Sequence, residues 1–122
     1  MNPTLAPQAY KESAVLTATP GQLVVMLYDG IRRFLFQATV AMREGNIEAC
    51  NNRLQRAEAI IDELNATLDM SAGEVSENLR SLYVFSRGHL MQARIKRSPE
   101  MIEEVSKLLD TVGDAWREIA KI

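Results

Sequence analysis

The stretch Asn46–Asp69, NIEACNNRLQRAEAIIDELNATLD, carries apolar or small residues at Ile47, Cys50, Leu54, Ala57, Ile61, Leu64 and Leu68. Their spacings of 3, 4, 3, 4, 3 and 4 place all seven on one face of a helix, a seam kept over three heptads. A helix over about 46–69 follows, and Gly45 just before it suits the left-handed end of a preceding helix. Working back, Thr19, Pro20 and Gln22 form a capping box with proline at the first helical position, which predicts a helix over about 20–43. Working forward, Ser71-Ala72-Gly73-Glu74 reads as another capping box. It opens a helix over about 74–96 with a seam of Val75, Leu79, Leu82, Ser86, Leu90 and Ala93. Ser98-Pro99 starts a fourth helix, about 99–120, with a seam of Ile102, Val105, Leu109, Val112, Trp116 and Ile119.

Each helix is roughly 30–37 Å long at about 1.5 Å per residue. The connections are short, which makes successive helices antiparallel neighbours. No strand pattern competes. The fold expected is all-α: an antiparallel up-down-up-down four-helix bundle over 19–122, preceded by a flexible, extended N-terminal arm over 1–18. The arm contains Pro3 and Pro7 and has no helical period, with Tyr10, Val15 and Leu16 as apolar handles on it.

The first helix is richer in apolar residues than a bundle requires. About three positions in seven suffice for a core stripe. Leu23, Leu27, Phe34, Ala38 and Ala41, with Gly30 and Ile31, can supply one. Val24, Val25, Tyr28, Leu35, Phe36 and Val40 are then left over, and Tyr83, Val84, Phe85 and Met91 form a smaller surplus on the third helix. Soluble monomers rarely leave large contiguous apolar patches in water. A client helix, the arm itself or a second copy would each cover the surface. Gly30 is costly inside a helix, which points to close approach by a neighbouring helix or by the arm. Asp29 beside it either bonds locally or faces solvent.

The composition narrows the classes of function. Fourteen basic and sixteen acidic side chains give a formal charge of −2, with no global attraction for nucleic acid or an anionic membrane. Arg32-Arg33 and the basic group from Arg94 to Arg97 read as solvated faces. Cys50 is the single cysteine, so no internal disulfide is possible and a reducing compartment is expected. The N-terminus lacks the apolar run of a signal peptide. The longest apolar run, Leu23 to Tyr28, is far short of the ~20 residues of a membrane-spanning helix. These features point to the cytoplasm. His89 stands alone, adjacent pairs such as Asp62-Glu63 and Glu103-Glu104 splay over a helix surface, and no phosphate loop or nucleophile motif occurs. The sequence therefore offers no catalytic residues, no metal ligands and no cofactor site. A basic polar face for membrane-surface binding is also missing. A non-enzymatic binding module remains.

The block AYKESAVLTATPGQLVVMLYDGIRRFL, with RAEAIIDELNATLD, LYVFSRGHLMQA and LLDTVGDAW after it, resembles the FliS family of flagellin-specific export chaperones over nearly the whole chain. The resemblance implies a cytosolic bundle that binds the disordered C-terminal segment of flagellin. The bundle would prevent premature polymerisation and bring flagellin to the flagellar type III export apparatus. It also implies contact with the export gate and with other flagellar regulators, and a protein that is mostly monomeric with a dimer open to it. By motif position it makes Tyr10 the anchor of the arm, over the client groove, and assigns Tyr28, Asp29, Gly30, Asn51 and Tyr83 to partner binding. Leu16 and Val24 join them as apolar residues outside the seams. Ser71-Ala72-Gly73 departs from the consecutive glycines of many relatives. The competing reading is a homodimeric helical adaptor or regulatory module that buries the same surplus against itself and has no flagellin client.

Overall fold

α1 (Pro20–Arg43) begins where its capping signals stand. In this computed structural model, which describes residue 13 and residues 15–121, the Thr19 hydroxyl accepts from the Gln22 amide at 3.2 Å. The Gln22 side chain accepts from the Thr19 amide at 2.9 Å in return. Two orphan amides of the first turn are thereby satisfied. α1 ends in a turn with Gly45 at φ 75°, where the Asn46 amide reaches back to the Ala41 carbonyl. Asn46 then caps α2 (Ile47–Ala66) by accepting from the Ala49 amide.

α2 ends three residues earlier than its hydrophobic period suggests. Asp69 caps a single 3-10 turn, Met70–Ala72, and Gly73 at φ 74° precedes α3 (Glu74–Lys96). The capping box expected at Ser71 does not form. Ser71 instead donates its amide and hydroxyl to the Asp69 carboxylate, and no side chain caps α3. These bonds hold the Asp69 carboxyl below its usual range. α3 ends with Arg97 in the left-handed region, φ 50°, and α4 (Pro99–Ala120) starts at Ser98-Pro99. Upstream of α1, Ser13 and residues 15–17 are helical rather than extended, with the Thr17 hydroxyl bonded to the Ser13 carbonyl at 3.0 Å.

Each helix packs on the next and α4 closes back on α1, giving an all-helical, antiparallel four-helix ring with no strand among the described residues. Cross-helix ion pairs mark the registers. Arg32–Asp110 and Arg43–Glu103 align α1 against α4, while Glu58–Arg94 and Asp62–Arg87 align α2 against α3. The core runs through Leu35, Leu54, Ile61, Leu90, Ile102, Val105 and Leu109, all buried.

On α1 the buried stripe is Tyr28, Ile31, Leu35 and Ala38, whereas Leu23 is exposed and Phe34 half-buried. Gly30, Ile31, Ala38 and Ala41 are buried as expected, but Tyr28 and Leu35 take the places given to Leu23 and Phe34, because a helix apolar on most faces has no unique hydrophobic phase. On α3 Tyr83 replaces Val75 in the core. Val75 is exposed near the helix start, and the seam there shifts by one residue to Ser76, whose hydroxyl donates to the Asp69 carbonyl at 2.6 Å.

Candidate functional site

Two tyrosines from diagonally opposed helices meet at the centre of the bundle. The hydroxyls of Tyr28 on α1 and Tyr83 on α3 lie 2.5 Å apart and share one hydrogen bond. Both rings are buried, and burial pushes the pKa of each hydroxyl up. Neither hydroxyl is an acid or base near neutral pH. Each satisfies the other in a place where a lone hydroxyl would be costly. Tyr28 and Tyr83 are thus brought together as predicted site residues, but inside the bundle.

The other predicted residues are dispersed. Tyr10 lies outside the described residues. Leu16, on the helical turn before α1, is 85% exposed. Val24 is half-buried against the core, and Asp29 is exposed and accepts from Arg117 of α4 at 2.6 Å. Gly30 is buried because α2 crosses there: a Cβ would stand 3.0 Å from the Ile60 Cδ1. The neighbouring helix accounts for this glycine, and the arm before residue 13 lies outside the described residues. Asn51 is half-buried at the opposite end of the bundle, where the α1–α2 and α3–α4 turns meet.

Exposed apolar side chains stand on the surface in two places. Along α1 and α4 an open groove of about 580 Å³ has Leu35, Phe36, Thr39 and Val40 on its α1 side. Phe36 is 68% exposed. Charged pairs span the groove, Arg32–Asp110 at 2.9 Å and Arg43–Glu103, and Lys107 also lines it. Such exposed pairs contribute little to stability, typically about 0–1 kcal/mol, so they can be exchanged for contacts to a partner. On α3 the exposed residues Val84, Met91 and Ile95 follow one another at seven and then four residues, beside Phe85, whose ring stacks on His89. His89 is in turn bonded to Glu104 on α4 at 2.6 Å.

Reading by residue type missed the charge cluster between α2 and α3. Glu58 is only 5% exposed and receives both Arg87 and Arg94, while Asp62 accepts from Arg87 at 2.9 Å. Arg94 therefore does not belong to a solvated face. The signal was the pairing of carboxylates four residues apart with arginines seven apart, which is legible only once the antiparallel register is known. Among the described residues, no three His, Cys, Asp or Glu side chains converge as a metal site requires, and no helix is long and apolar enough to cross a membrane.

A helical bundle with exposed apolar side chains on two helices and no catalytic constellation among the described residues has the form of a binding module. Comparison with known proteins gives that module a family. Residues 3–122 match the family described as flagellar protein FliS. The chain is 38% identical to the flagellar secretion chaperone FliS of Salmonella typhimurium over 115 residues, 93% of this chain and 85% of that one. It is 37% identical to the Bacillus subtilis protein of the same name over 110 residues, covering 90% and 82%. It is 36% identical to the Campylobacter jejuni protein over 120 residues, covering 98% and 94%. The chain belongs to the FliS family of flagellar secretion chaperones.

Proposed function

We propose that this protein binds the disordered C-terminal segment of flagellin in the bacterial cytosol, keeps it from polymerising and delivers it to the flagellar type III export apparatus, without catalysis. The observation that supports this reading is the apolar surface left outside the core: Leu23, Met26, Phe36 and Val40 on α1, and Val84, Phe85, Met91 and Ile95 on α3. A segment with helical portions can lay its i, i+3, i+4 and i+7 residues into such tracks. Each large apolar side chain buried is worth about 1.5–3 kcal/mol, against several kcal/mol to order the client. Many modest contacts can then hold a long segment that is still peeled away stepwise.

In this reading Leu16, Val24, Asp29 and Asn51 touch the client, and Tyr10 anchors the arm over the groove. Tyr28, Gly30 and Tyr83 shape the bundle from within. The export gate and other flagellar regulators would meet the loaded protein, which is mostly a monomer. Calorimetric titration with the C-terminal ~40–60 residues of the organism's own flagellin tests it, a length chosen to span several grooves. One-to-one binding with a clearly negative heat-capacity change is expected. No heat at several temperatures, together with a dimeric mass in light scattering, would favour the homodimeric adaptor and overturn the proposal.

A further inference from the structure

At the end of the bundle opposite the Tyr28–Asp29 half of α1, the α1–α2 and α3–α4 turns enclose a cavity of about 150 Å³. A space of that order accepts a benzene-sized apolar group. Its buried surface is Cys50, and Met42 and Pro99 line it half-buried, with Ile47 exposed at the lip. Burial pushes the Cys50 thiol up, so this wall is neutral.

The cavity also carries cationic groups, and only one of them is uncommitted. Arg94 is held by the Glu58 carboxylate through both terminal nitrogens. Arg97 makes no ion pair among the described residues, and Asn51 shows no side-chain hydrogen bond there. Arg97 also occupies a backbone conformation that disfavours it. It sits at φ 50° in the turn that ends α3, where the Ser98 amide bonds the Ala93 carbonyl at 3.0 Å, a position usually filled by glycine. A bare anion would leave the apolar walls unused, and a purely apolar group would leave Arg97 unpaired. The complementary occupant has both characters.

We infer that this cavity is a socket for one apolar side chain of a peptide from another protein, with a neighbouring carboxylate of that peptide bonded to Arg97. The socket is separate from the α1–α4 groove. It rests on the family reading only for what the peptide belongs to, and its test uses no flagellin.

The test is a methyl NMR titration of the full chain with N-acetyl-leucine, N-acetyl-leucinamide and acetate in turn. N-acetyl-leucine should shift the Met42 and Ile47 methyls saturably, with a dissociation constant on the order of 10 mM for so small a ligand. The amide should bind roughly fivefold more weakly, and acetate should leave those methyls unmoved, because an exposed ion pair adds only a modest increment. Arg97→Gln should erase the difference between acid and amide while keeping amide binding. Cys50→Met, which fills the cavity, should abolish both. Arg97 is an exposed cap residue, so its variant keeps the comparison testable if Cys50→Met fails to fold. Equal binding of acid and amide, or no saturable shift, would overturn the socket. So would shifts that follow protein dilution instead of ligand, which would mark a second copy as the occupant. A silent socket beside intact flagellin-tail binding would refute this inference alone.

Discussion

α1 and α3 each send a tyrosine to the centre of the bundle and each carry a glycine in mid-helix, and ion pairs link each to a neighbour, yet they are packed to different degrees. α1 lies close against both neighbours. At Gly30 it meets the Ile60 side chain, and opposite Gly113 of α4 it presents its Tyr28, whose Cβ would stand 3.2 Å from any Cβ added there. α3 approaches its neighbours less closely and is tied to them by charge: Glu58 and Asp62 of α2 on one side, His89 to Glu104 of α4 on the other. Its glycine, Gly88, faces open space between the exposed Val84 and Met91. Close packing fixes a helix through many short-range contacts that cannot be exchanged singly. Ion pairs at a half-exposed seam tolerate adjustment. α1 is therefore the axis of the fold, and α3 is the helix whose seating can respond to a partner.

Substitutions can break this comparison, and the core should respond most. Leu54→Ala, in the α2 seam at full burial, is expected to lower unfolding free energy by about 3 kcal/mol, from lost burial and the cavity left behind. Val84→Ala on the outside of α3, at 59% exposure, should cost less than about 0.5 kcal/mol. Urea denaturation reads both, and equal losses would mean that the outer face of α3 is covered in the free protein.

The charge clasp comes next. Glu58→Ala leaves Arg87 and Arg94 without their buried acceptor and should cost about 2 kcal/mol. That figure lies below the full buried-pair penalty because water still reaches both arginines. Hydrogen exchange should show α3 amides losing protection before those of α1. Uniform loss across the helices would refute the division.

The tyrosine pair sharpens the comparison at the point where the two helices meet. Tyr83→Phe strands the buried Tyr28 hydroxyl and should cost about 1–2 kcal/mol, while the double change to phenylalanine should be closer to neutral. The pair also sets an alkaline limit. Both hydroxyls titrate higher in the folded protein than the ordinary value near 10. The unfolded chain therefore releases these protons first, and stability, fully present below about pH 10, falls as pH rises beyond it. The double phenylalanine variant should lose this part of the fall, measured as urea midpoints from pH 9 to 11.

The glycines should give effects of about 1 kcal/mol or less, with opposite signs. Gly88→Ala meets nothing and should stabilise by about 0.5–1 kcal/mol through helix propensity alone. Gly113→Ala presses on the Cβ and ring of Tyr28, which cannot retreat, and should destabilise by about 1 kcal/mol. Gly30→Ala meets only the flexible end of Ile60 and should fall between them. Thermal melts of the three variants check the order. A stabilised Gly113→Ala would show that α1 and α4 are less tightly registered than their geometry indicates.

The chain alone determined the four-helix architecture, because its signals are local. The α2 seam, the Thr19 capping box and the Ser98-Pro99 start each depend on residues within one or two turns. Where local signals were ambiguous, the tertiary structure decided. Helix α1 is apolar on most of its circumference, so only the approach of α2 and α4 selected Tyr28 and Leu35 for the interior and left Leu23 outside. The meeting of Tyr28 with Tyr83, 55 positions apart in the chain, depends on the two intervening connections between helices. The clasp on Glu58, the pairing of Asp29 with Arg117 and the cavity beside Cys50 arise in the same way. Each depends on the register between helices, which is set by the volumes that must fit together across the core and not by the periodicity of any one helix.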